Sequence, residues 1–276
     1  MKHIDDIRAL IHTLQESTKF HALIIQSPPG WAKSTTVEQA LVEMAIPFQM
    51  LGAYSTPLQL YNAVFVHSTS TIVIDDCAGL FGQSAAMAIL KAATWPSAGG
   101  NGARIIGWRS GSDRVLGPEV DFKGKLILLT NSIPSSPDTE ALLSRALYLS
   151  MDFNPEEIEE MLLAAANRKE YYEDTELAVK VASQLIKNFA GRDNTKLNLR
   201  SLQVGCELAK LNPENWRGLL ERLMPQSTAV NLVKTLNQSP LSVETQANRF
   251  NKMTGLSRRT FFTYRRELGI RKKNAF

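Results

Sequence analysis

Long apolar runs and cysteines are both scarce in this chain of 276 residues. No apolar run approaches the roughly 20 residues that a membrane-spanning helix needs. The N-terminal segment 1–14 is charged and amphipathic, unlike a secretory signal. The two cysteines, Cys77 and Cys206, offer no disulfide framework. These absences argue against a membrane protein and a disulfide-rich secreted domain, and we expect a cytoplasmic protein.

Acidic residues are rare near the C-terminus. Residues 241–276 contain nine Lys and Arg but only two Glu, a net charge of +7. The other 240 residues carry 22 basic and 25 acidic side chains, a net charge of −3. This asymmetry predicts a separate C-terminal module that binds an anionic partner.

Short apolar runs alternate with helical patterns in the first half of the chain. Such runs, without internal alternation, predict a parallel sheet covered by helices on both faces. From Asn154-Pro155 onward the pattern is only helical, up to a polar linker at 224–228. We therefore predict three domains, at 1–154, 155–224 and 225–276. The five predicted strands lie in the runs 21–26, 47–53, 70–77, 125–131 and 146–153.

A lysine and a serine follow the first apolar run, in the segment QSPPGWAKST (26–35). A phosphate-binding loop has glycine, four residues, glycine, lysine, then serine or threonine; here Ser27 and Ala32 replace the glycines. In such a loop Lys33 reaches the outer phosphates and Ser34 binds Mg²⁺. A strand–turn–helix corner with an incidental lysine is the alternative. The predicted nucleotide-binding residues here are Pro29, Gly30, Trp31, Ala32, Lys33, Ser34 and Thr35.

Two adjacent carboxylates end another apolar strand, in the segment TIVIDDC (71–77). Ligands of open α/β sheets bind at the carboxyl ends of the strands. Asp75 can hold hydrated magnesium there, while Asp76 can orient or deprotonate an attacking water. A solvated turn is the alternative, but two such coincidences are less expected than one. The two motifs together predict a working ATP site in which Asp76, shorter than Glu, slows hydrolysis.

The chain resembles the AAA+ ATPases over roughly residues 1–224. Lys33 and Ser34 match the Walker A motif of that family, and Asp75-Asp76 matches Walker B, where the family more often has Asp-Glu. The resemblance implies an α/β P-loop core with a parallel sheet, followed by a helical lid. It also implies Mg²⁺-dependent ATP hydrolysis by a homo-oligomeric ring or filament.

Three further segments resemble AAA+ elements in the same order along the chain. LILLTN resembles the sensor-1 strand, which implies that Asn131 positions the attacking water. TEALLSRALYLSM resembles the arginine-finger segment, so Arg145 is expected to reach the nucleotide of the adjacent subunit. LNLRSLQVGCELA resembles the start of the third lid helix and implies a sensor-2 role for Arg200. Without the resemblance, Asn131 also fits a turn cap and both arginines fit surface charges.

A glycine-rich insert (95–124) precedes the sensor-1 segment. We expect ARIIGWRS to form a strand paired with DRVLG, with Gly111 near the turn. Such a hairpin occurs before sensor 1 in some AAA+ helicases. Arginine and tryptophan suit a DNA backbone and stacked bases, so Arg104, Trp108 and Arg109 are predicted DNA contacts. A subunit interface or an irregular loop fits this insert equally well.

The basic C-terminal segment predicts two helices joined by a short turn, a helix-turn-helix. ETQANRFNKM is the first helix, TGLS the turn with Gly255, and RRTFFTYRREL the second helix, capped by Ser257. Leu256, Phe261 and Leu268 are expected to pack inward. A helical module that binds an acidic protein is the alternative. The predicted DNA contacts of the second helix are Arg258, Arg259, Thr260, Thr263, Arg265 and Arg266, with the RKK tail at 271–273 suited to phosphates.

These features favour an ATP-driven oligomer that acts on DNA. Replication initiation, helicase loading, translocation and transposition targeting all fit, with a helicase, replication or transposition protein as partner. An ATPase-type transcriptional regulator is a second hypothesis, weakened because no Gly-Ala-Phe-Thr-Gly-Ala string occurs. A nucleotide-gated DNA-binding switch with little hydrolysis is a third, motivated by Ser27, Ala32 and Asp76.

Overall fold

The computed structural model describes residues 2–52, 56–96, 103–109, 114–189, 197–223 and 228–270. It divides into two compact units, Met1–Asp152 and Phe153–Phe276. The division lies two residues before the predicted boundary at 154/155. The predicted boundary near residue 225 falls inside the second unit and stays a prediction.

The first unit is built on a five-stranded sheet whose neighbouring strands are all parallel. Each of the five predicted apolar runs contains one strand, so the expected α/β class with a parallel sheet is confirmed. The strands are β1 (Ala22–Gln26), β2 (Phe48–Leu51), β3 (Thr71–Ile74), β6 (Lys125–Thr130) and β7 (Leu147–Ser150). Their spatial order is β2-β3-β6-β1-β7.

Helices connect these strands, as parallel pairing requires. Thr56 and Ser136 each cap a helix whose first residue is proline, an arrangement that satisfies free N–H groups at the helix start. The central strands are buried because helices cover the sheet. The helices of the first unit are α1 (Lys2–Glu16), α2 (Lys33–Glu43), α3 (Pro57–Val66), α4 (Ser84–Thr94) and α5 (Pro137–Leu143).

A short antiparallel pair, β4 (Ile105–Gly107) and β5 (Glu119–Asp121), lies in the insert before β6. The expected pairing of ARIIGWRS with DRVLG is wrong, because the partner strand begins two residues beyond that segment. Ile106 pairs with Val120 and faces the core of the first unit. The expected turn at Gly111 lies outside the described residues.

The second unit is helical. Its first group of helices is α6 (Pro155–Ala166), α7 (Thr175–Phe189), α8 (Leu199–Leu211) and α9 (Trp216–Leu223). Helices α7 and α8 approach closely at Gly205, where a Cβ would lie 2.5 Å from Val181 Cγ1. Asn154 and Asn198 cap α6 and α8 through paired side-chain and backbone hydrogen bonds.

The remaining helices form a small cluster of their own, α10 (Thr228–Gln238), α11 (Val243–Thr254) and α12 (Arg258–Glu267). Its apolar centre contains Val233, Phe250 and Phe261. Gly255 ends α11 with φ of 72°, a conformation that glycine adopts without strain. Ser257 then caps α12 by accepting a hydrogen bond from the Thr260 N–H.

Within the described ranges, no helix combines the length and apolar character needed to cross a membrane.

Candidate functional site

Three loops meet at the carboxyl edge of the sheet in the first unit. β6 pairs with both β1 and β3, so the segments after these three strands lie side by side. Gln26 is in register with Thr130, and the Ser27 N–H donates to the Thr130 carbonyl at 3.1 Å. The edge that carries the predicted phosphate loop thus also carries Asp75, Asp76 and Asn131.

The loop after β1 turns sharply into α2. Gly30 and Ala32 have φ of 84° and 58°, in the left-handed region where a Cβ is strained. Ala32 directly precedes α2, and its carbonyl accepts the Thr36 N–H at 2.8 Å. Lys33 and Ser34 therefore stand in the first turn of a helix, where free N–H groups and the helix dipole favour an anion.

Lys33 reaches the end of β6. Its Nζ donates to Asn131 Oδ1 at 2.5 Å and to the Ser27 carbonyl at 3.5 Å, and its side chain is buried. Lys33 and Asn131 are 98 positions apart in the chain. Lys33 of the loop and Asn131 at the end of β6 were both predicted for the site, and the structure brings them into direct contact.

The two carboxylates after β3 differ in environment. Asp75 is half-buried, and its N–H donates to the Leu51 carbonyl at 2.8 Å. Asp76 is exposed and has φ of 55°, which aspartate tolerates better than most residues. The next residue, Cys77, is buried, and burial raises the pKa of its thiol to about 12. A buried thiol that is this hard to ionise is a poor nucleophile and a poor metal ligand. The roles of Asp75 and Asp76 stay predictions.

Trp31 anchors the loop to the first helix. Its side chain is 2% exposed, and its ring meets the His3 ring edge-on with centroids 6.4 Å apart. Only the backbone of Trp31 is therefore available to a phosphate. Among the other predicted loop residues, Pro29 and Thr35 are exposed.

The two predicted arginines lie in different units. Arg145 is half-buried in the turn between α5 and β7, where its N–H donates to the Leu142 carbonyl at 3.1 Å. Arg200 is exposed in the first turn of α8, next to the cap formed by Asn198. Both roles stay predictions.

The insert contradicts one predicted DNA contact and limits another. Arg104 is 4% exposed and donates to the carbonyls of Ala93 (2.7 Å) and Gly124 (2.8 Å), so it holds the insert on the core and is not free for DNA. Trp108 packs against the core with its ring 5.9 Å from that of Tyr61, which leaves it half-buried. Arg109 is exposed and stays a candidate.

In the basic module, Arg265 is not the phosphate contact that was predicted. It is 6% exposed and donates to Asn237 Oδ1 (2.8 Å) and Gln246 Oε1 (3.0 Å), which join α12 to α10 and α11. Arg258 forms an ion pair with Glu244, and the Thr260 hydroxyl contacts Ser257 Oγ in the helix cap. Arg265 therefore serves the module itself. Arg258, whose side chain is 46% exposed, and the half-buried Thr260 stay predicted DNA contacts.

The outer face of α12 retains some of the predicted residues. Arg259 and Arg266 are exposed, and Thr263 is half-buried with its hydroxyl donating to the Arg259 carbonyl. Phe262, which the sequence analysis did not select, is 43% exposed. The helical period could have identified it, since Phe261 faces the core and its neighbour must turn away.

One inward-facing prediction for the module is wrong. Leu256 is 38% exposed, and its carbonyl accepts a hydrogen bond from Asn251 Nδ2 in the turn between α11 and α12. Phe261 is fully buried and Leu268 packs against the same centre, as expected. The RKK tail lies outside the described residues.

No family model matches the sequence, and no curated protein matches it. Among solved structures, the Holliday junction branch migration motor RuvB of Thermotoga maritima is 13% identical, with a TM-score of 0.49 over 98% of this chain and 88% of its own. A DNA replication initiation factor is 11% identical, with a TM-score of 0.46 over 97% of this chain and 83% of its own. The residue roles proposed for this chain depend on the contacts within its own site.

Proposed function

We propose that this chain is an ATP-hydrolysing, oligomeric AAA+ protein that acts on DNA. The contact between Lys33 and Asn131 supports the proposal most directly. It places the amine expected at the outer phosphates beside the amide expected to hold the attacking water. The surroundings are those of a phosphate site, at the start of a helix and the carboxyl edge of a parallel sheet.

The order of the strands supports the AAA+ assignment. β6 lies between β1, which precedes the phosphate loop, and β3, which Asp75 follows. The polar residue after β6 can therefore reach a phosphate that Lys33 holds on one side and a metal that Asp75 holds on the other. Asn131 occupies that position.

The donor set fits Mg²⁺-ATP as the substrate. Loop N–H groups and Lys33 would bind its phosphates, while the Ser34 hydroxyl and the Asp75 carboxylate are oxygen ligands of the type that Mg²⁺ prefers. Asn131 would orient the attacking water, and the Asp76 carboxylate would accept its proton. Arg145 would act on the nucleotide of the neighbouring subunit, and Arg200 would link the lid to nucleotide state.

The DNA half of the proposal depends on the basic module and the insert. Arg259 and Arg266 on α12 and Arg109 in the insert are exposed cations, which suit a polyanion. Replication, through initiation, helicase loading or translocation, and transposition are the processes that such a cytoplasmic ATPase would serve. Its partner there would be a helicase, replication or transposition protein.

The test is ATP hydrolysis by wild type and Lys33→Ala, each alone and with single- or double-stranded DNA. We expect wild-type turnover to rise with DNA, and Lys33→Ala to lose about 100-fold or more, since the amine stabilises charge on the transferred phosphate. Lys19→Ala removes an exposed lysine of the same unit that lies outside the phosphate loop and the insert, and it serves as the matched control.

Equal turnover in wild type and Lys33→Ala would contradict the ATPase proposal. Turnover that depends on Lys33 but does not change with DNA would support the ATPase proposal and contradict the proposed coupling of hydrolysis to DNA. The strand form that stimulates more strongly would separate a helicase-like role from a duplex-bound one.

A second candidate, a nucleotide-gated DNA-binding switch, is favoured by the strained Ala32 and by the short carboxylate of Asp76. It predicts ATP binding that changes DNA affinity while turnover stays at background with DNA present. An Asp76→Glu change that raises turnover would support Asp76 as the residue that activates water.

A further inference from the structure

Helix α12 presents one outer face of defined composition. Arg259, Phe262 and Arg266 are three and four residues apart, so they lie on one side of the helix over adjacent turns. All three are exposed. Phe261 and Arg265 lie on another side of the helix and are buried in the module.

Two other arginines of this helix are engaged within the module. Arg258 pairs with Glu244 on α11, and Arg265 bonds to amide oxygens of α10 and α11. The outer face of α12 therefore carries its positive charge on Arg259 and Arg266, on either side of an exposed aromatic ring. This pattern combines attraction for a polyanion with one apolar point of contact.

The arrangement of the helices in the module determines which groove of duplex DNA the Phe262 ring can contact. α12 follows α11 after a turn of three residues, 255–257, and Phe262 is the fifth residue of α12. A helix in this arrangement fits the major groove of duplex DNA, and its N-terminal half reaches the base edges. Phenylalanine has no hydrogen-bonding atom, so it cannot read the donors and acceptors there. The apolar group that the base edges present in that groove is the 5-methyl of thymine.

We infer that Phe262 recognises the 5-methyl group of a thymine in the major groove of duplex DNA, with Arg259 and Arg266 bound to the flanking guanine edges or phosphates. This inference rests on the proposed DNA-binding function of the module. It narrows the partner from anionic polymers in general to thymine-containing duplex DNA, because RNA carries uracil without that methyl group.

The experiment uses the full chain and first selects its preferred duplex from a random library. Affinity is then measured for that duplex and for copies in which single thymines are replaced by deoxyuridine, which pairs identically but lacks the methyl. We expect one such replacement to weaken wild-type binding about four-fold, the value of one buried methyl-sized group. This first arm needs no variant.

The second arm repeats the comparison with Phe262→Ala. We expect this variant to bind the thymine duplex about four-fold more weakly or worse, and to bind the thymine and deoxyuridine copies equally. Tyr171→Ala is the matched control, because that aromatic side chain is also 43% exposed but lies outside the module. It should bind and discriminate like wild type.

Three results would overturn the inference. They are equal wild-type affinity for all deoxyuridine copies, discrimination that survives Phe262→Ala, and a preference for single-stranded DNA over the duplex. In each of them the chain still binds DNA, so the proposed function survives. A wild-type chain that binds no DNA at all would instead remove the DNA half of the proposed function, and the inference with it.

Discussion

At the scale of single residues, the phosphate loop carries a strained alanine. Ala32 has φ of 58°, in the left-handed region that costs a residue with a Cβ about 1–2 kcal/mol. The position corresponds to the second glycine of a phosphate loop. Ala45, after α2, has φ of 53° and provides the same strain away from the loop.

We predict that Ala32→Gly and Ala45→Gly both raise the free energy of unfolding, by about 0.5–1 kcal/mol once the freer unfolded chain is counted. Only Ala32→Gly should tighten ATP binding, because it removes a Cβ beside the N–H groups that face the phosphates. Thermal unfolding and nucleotide titration measure the two effects. If both variants leave ATP affinity unchanged, Ala32 does not lie against the nucleotide.

His21 makes the stability of the first unit depend on pH. Burial, together with the nearby charges of Arg104 and Lys125, lowers the pKa of His21 from 6.5 to about 4. The unfolded chain therefore takes up a proton between about pH 6.5 and pH 4 that the folded chain does not. Above this range the histidine is neutral in both states, so it does not change the free energy of unfolding as the pH rises.

We predict that stability falls as pH decreases from 6.5 to 4, and that His21→Asn makes this fall shallower. Urea unfolding at several pH values measures the slope. His12→Asn, at an exposed position, is the control and should keep the wild-type profile. An unchanged slope in His21→Asn would show that other groups set the dependence.

At the scale of elements, neighbouring arginines of α12 serve different purposes. Arg265 joins three helices through Asn237 and Gln246, whereas Arg266 lies on the outer face. We predict that Arg265→Ala destabilises the module by about 2–4 kcal/mol, since it leaves the buried Gln246 amide oxygen and the half-buried Asn237 amide oxygen without this donor. Arg266→Ala should keep its stability but weaken DNA binding and its salt dependence.

Circular dichroism and DNA titration at two salt concentrations measure this pair. Equal stability of the two variants would contradict the role of Arg265 as the link between helices. Equal DNA affinity of Arg266→Ala and wild type would remove that residue from the interface.

Local patterns predicted the elements well where apolar runs and caps were strong. All five sheet strands and the helices around Ser257 follow from such signals, because buried strands are continuously apolar and caps end or begin a helix. The β4–β5 pair was assigned the wrong partner, because strands of three residues leave little pattern. Arg104 was misassigned because its acceptors, the carbonyls of Ala93 and Gly124, come together only in the folded chain.

The candidate site was predictable to a similar extent. Lys33 and Asn131 were both selected from motifs, and the fold joins them. What the sequence alone could not supply was the left-handed conformation of Ala32. That conformation depends on the path of the backbone between β1 and α2.

At the scale of the whole molecule, the proposed site is shared between subunits. Lys33→Ala and Arg145→Ala should each inactivate the ATPase, although they affect opposite sides of a subunit interface. In an equal mixture, an interface works when its loop comes from an Arg145→Ala subunit and its arginine from a Lys33→Ala subunit. Random assembly in a ring places about a quarter of the interfaces in that state.

We therefore predict that mixing the two inactive variants restores about a quarter of wild-type turnover. Steady-state ATPase assays of pre-mixed variants measure the recovery, and each variant mixed with itself is the control. Mixtures that stay inactive at all ratios would place Arg145 outside the neighbouring site.

The packing of Trp31 also gives the phosphate loop its own optical reporter. Its indole lies inside the segment that would close around phosphate, held edge-on to the His3 ring. Trp95, Trp108 and Trp216 lie outside that segment. Emission that changes when ATP is added, and no longer changes in Trp31→Phe, would record the movement of the loop in real time without an added label.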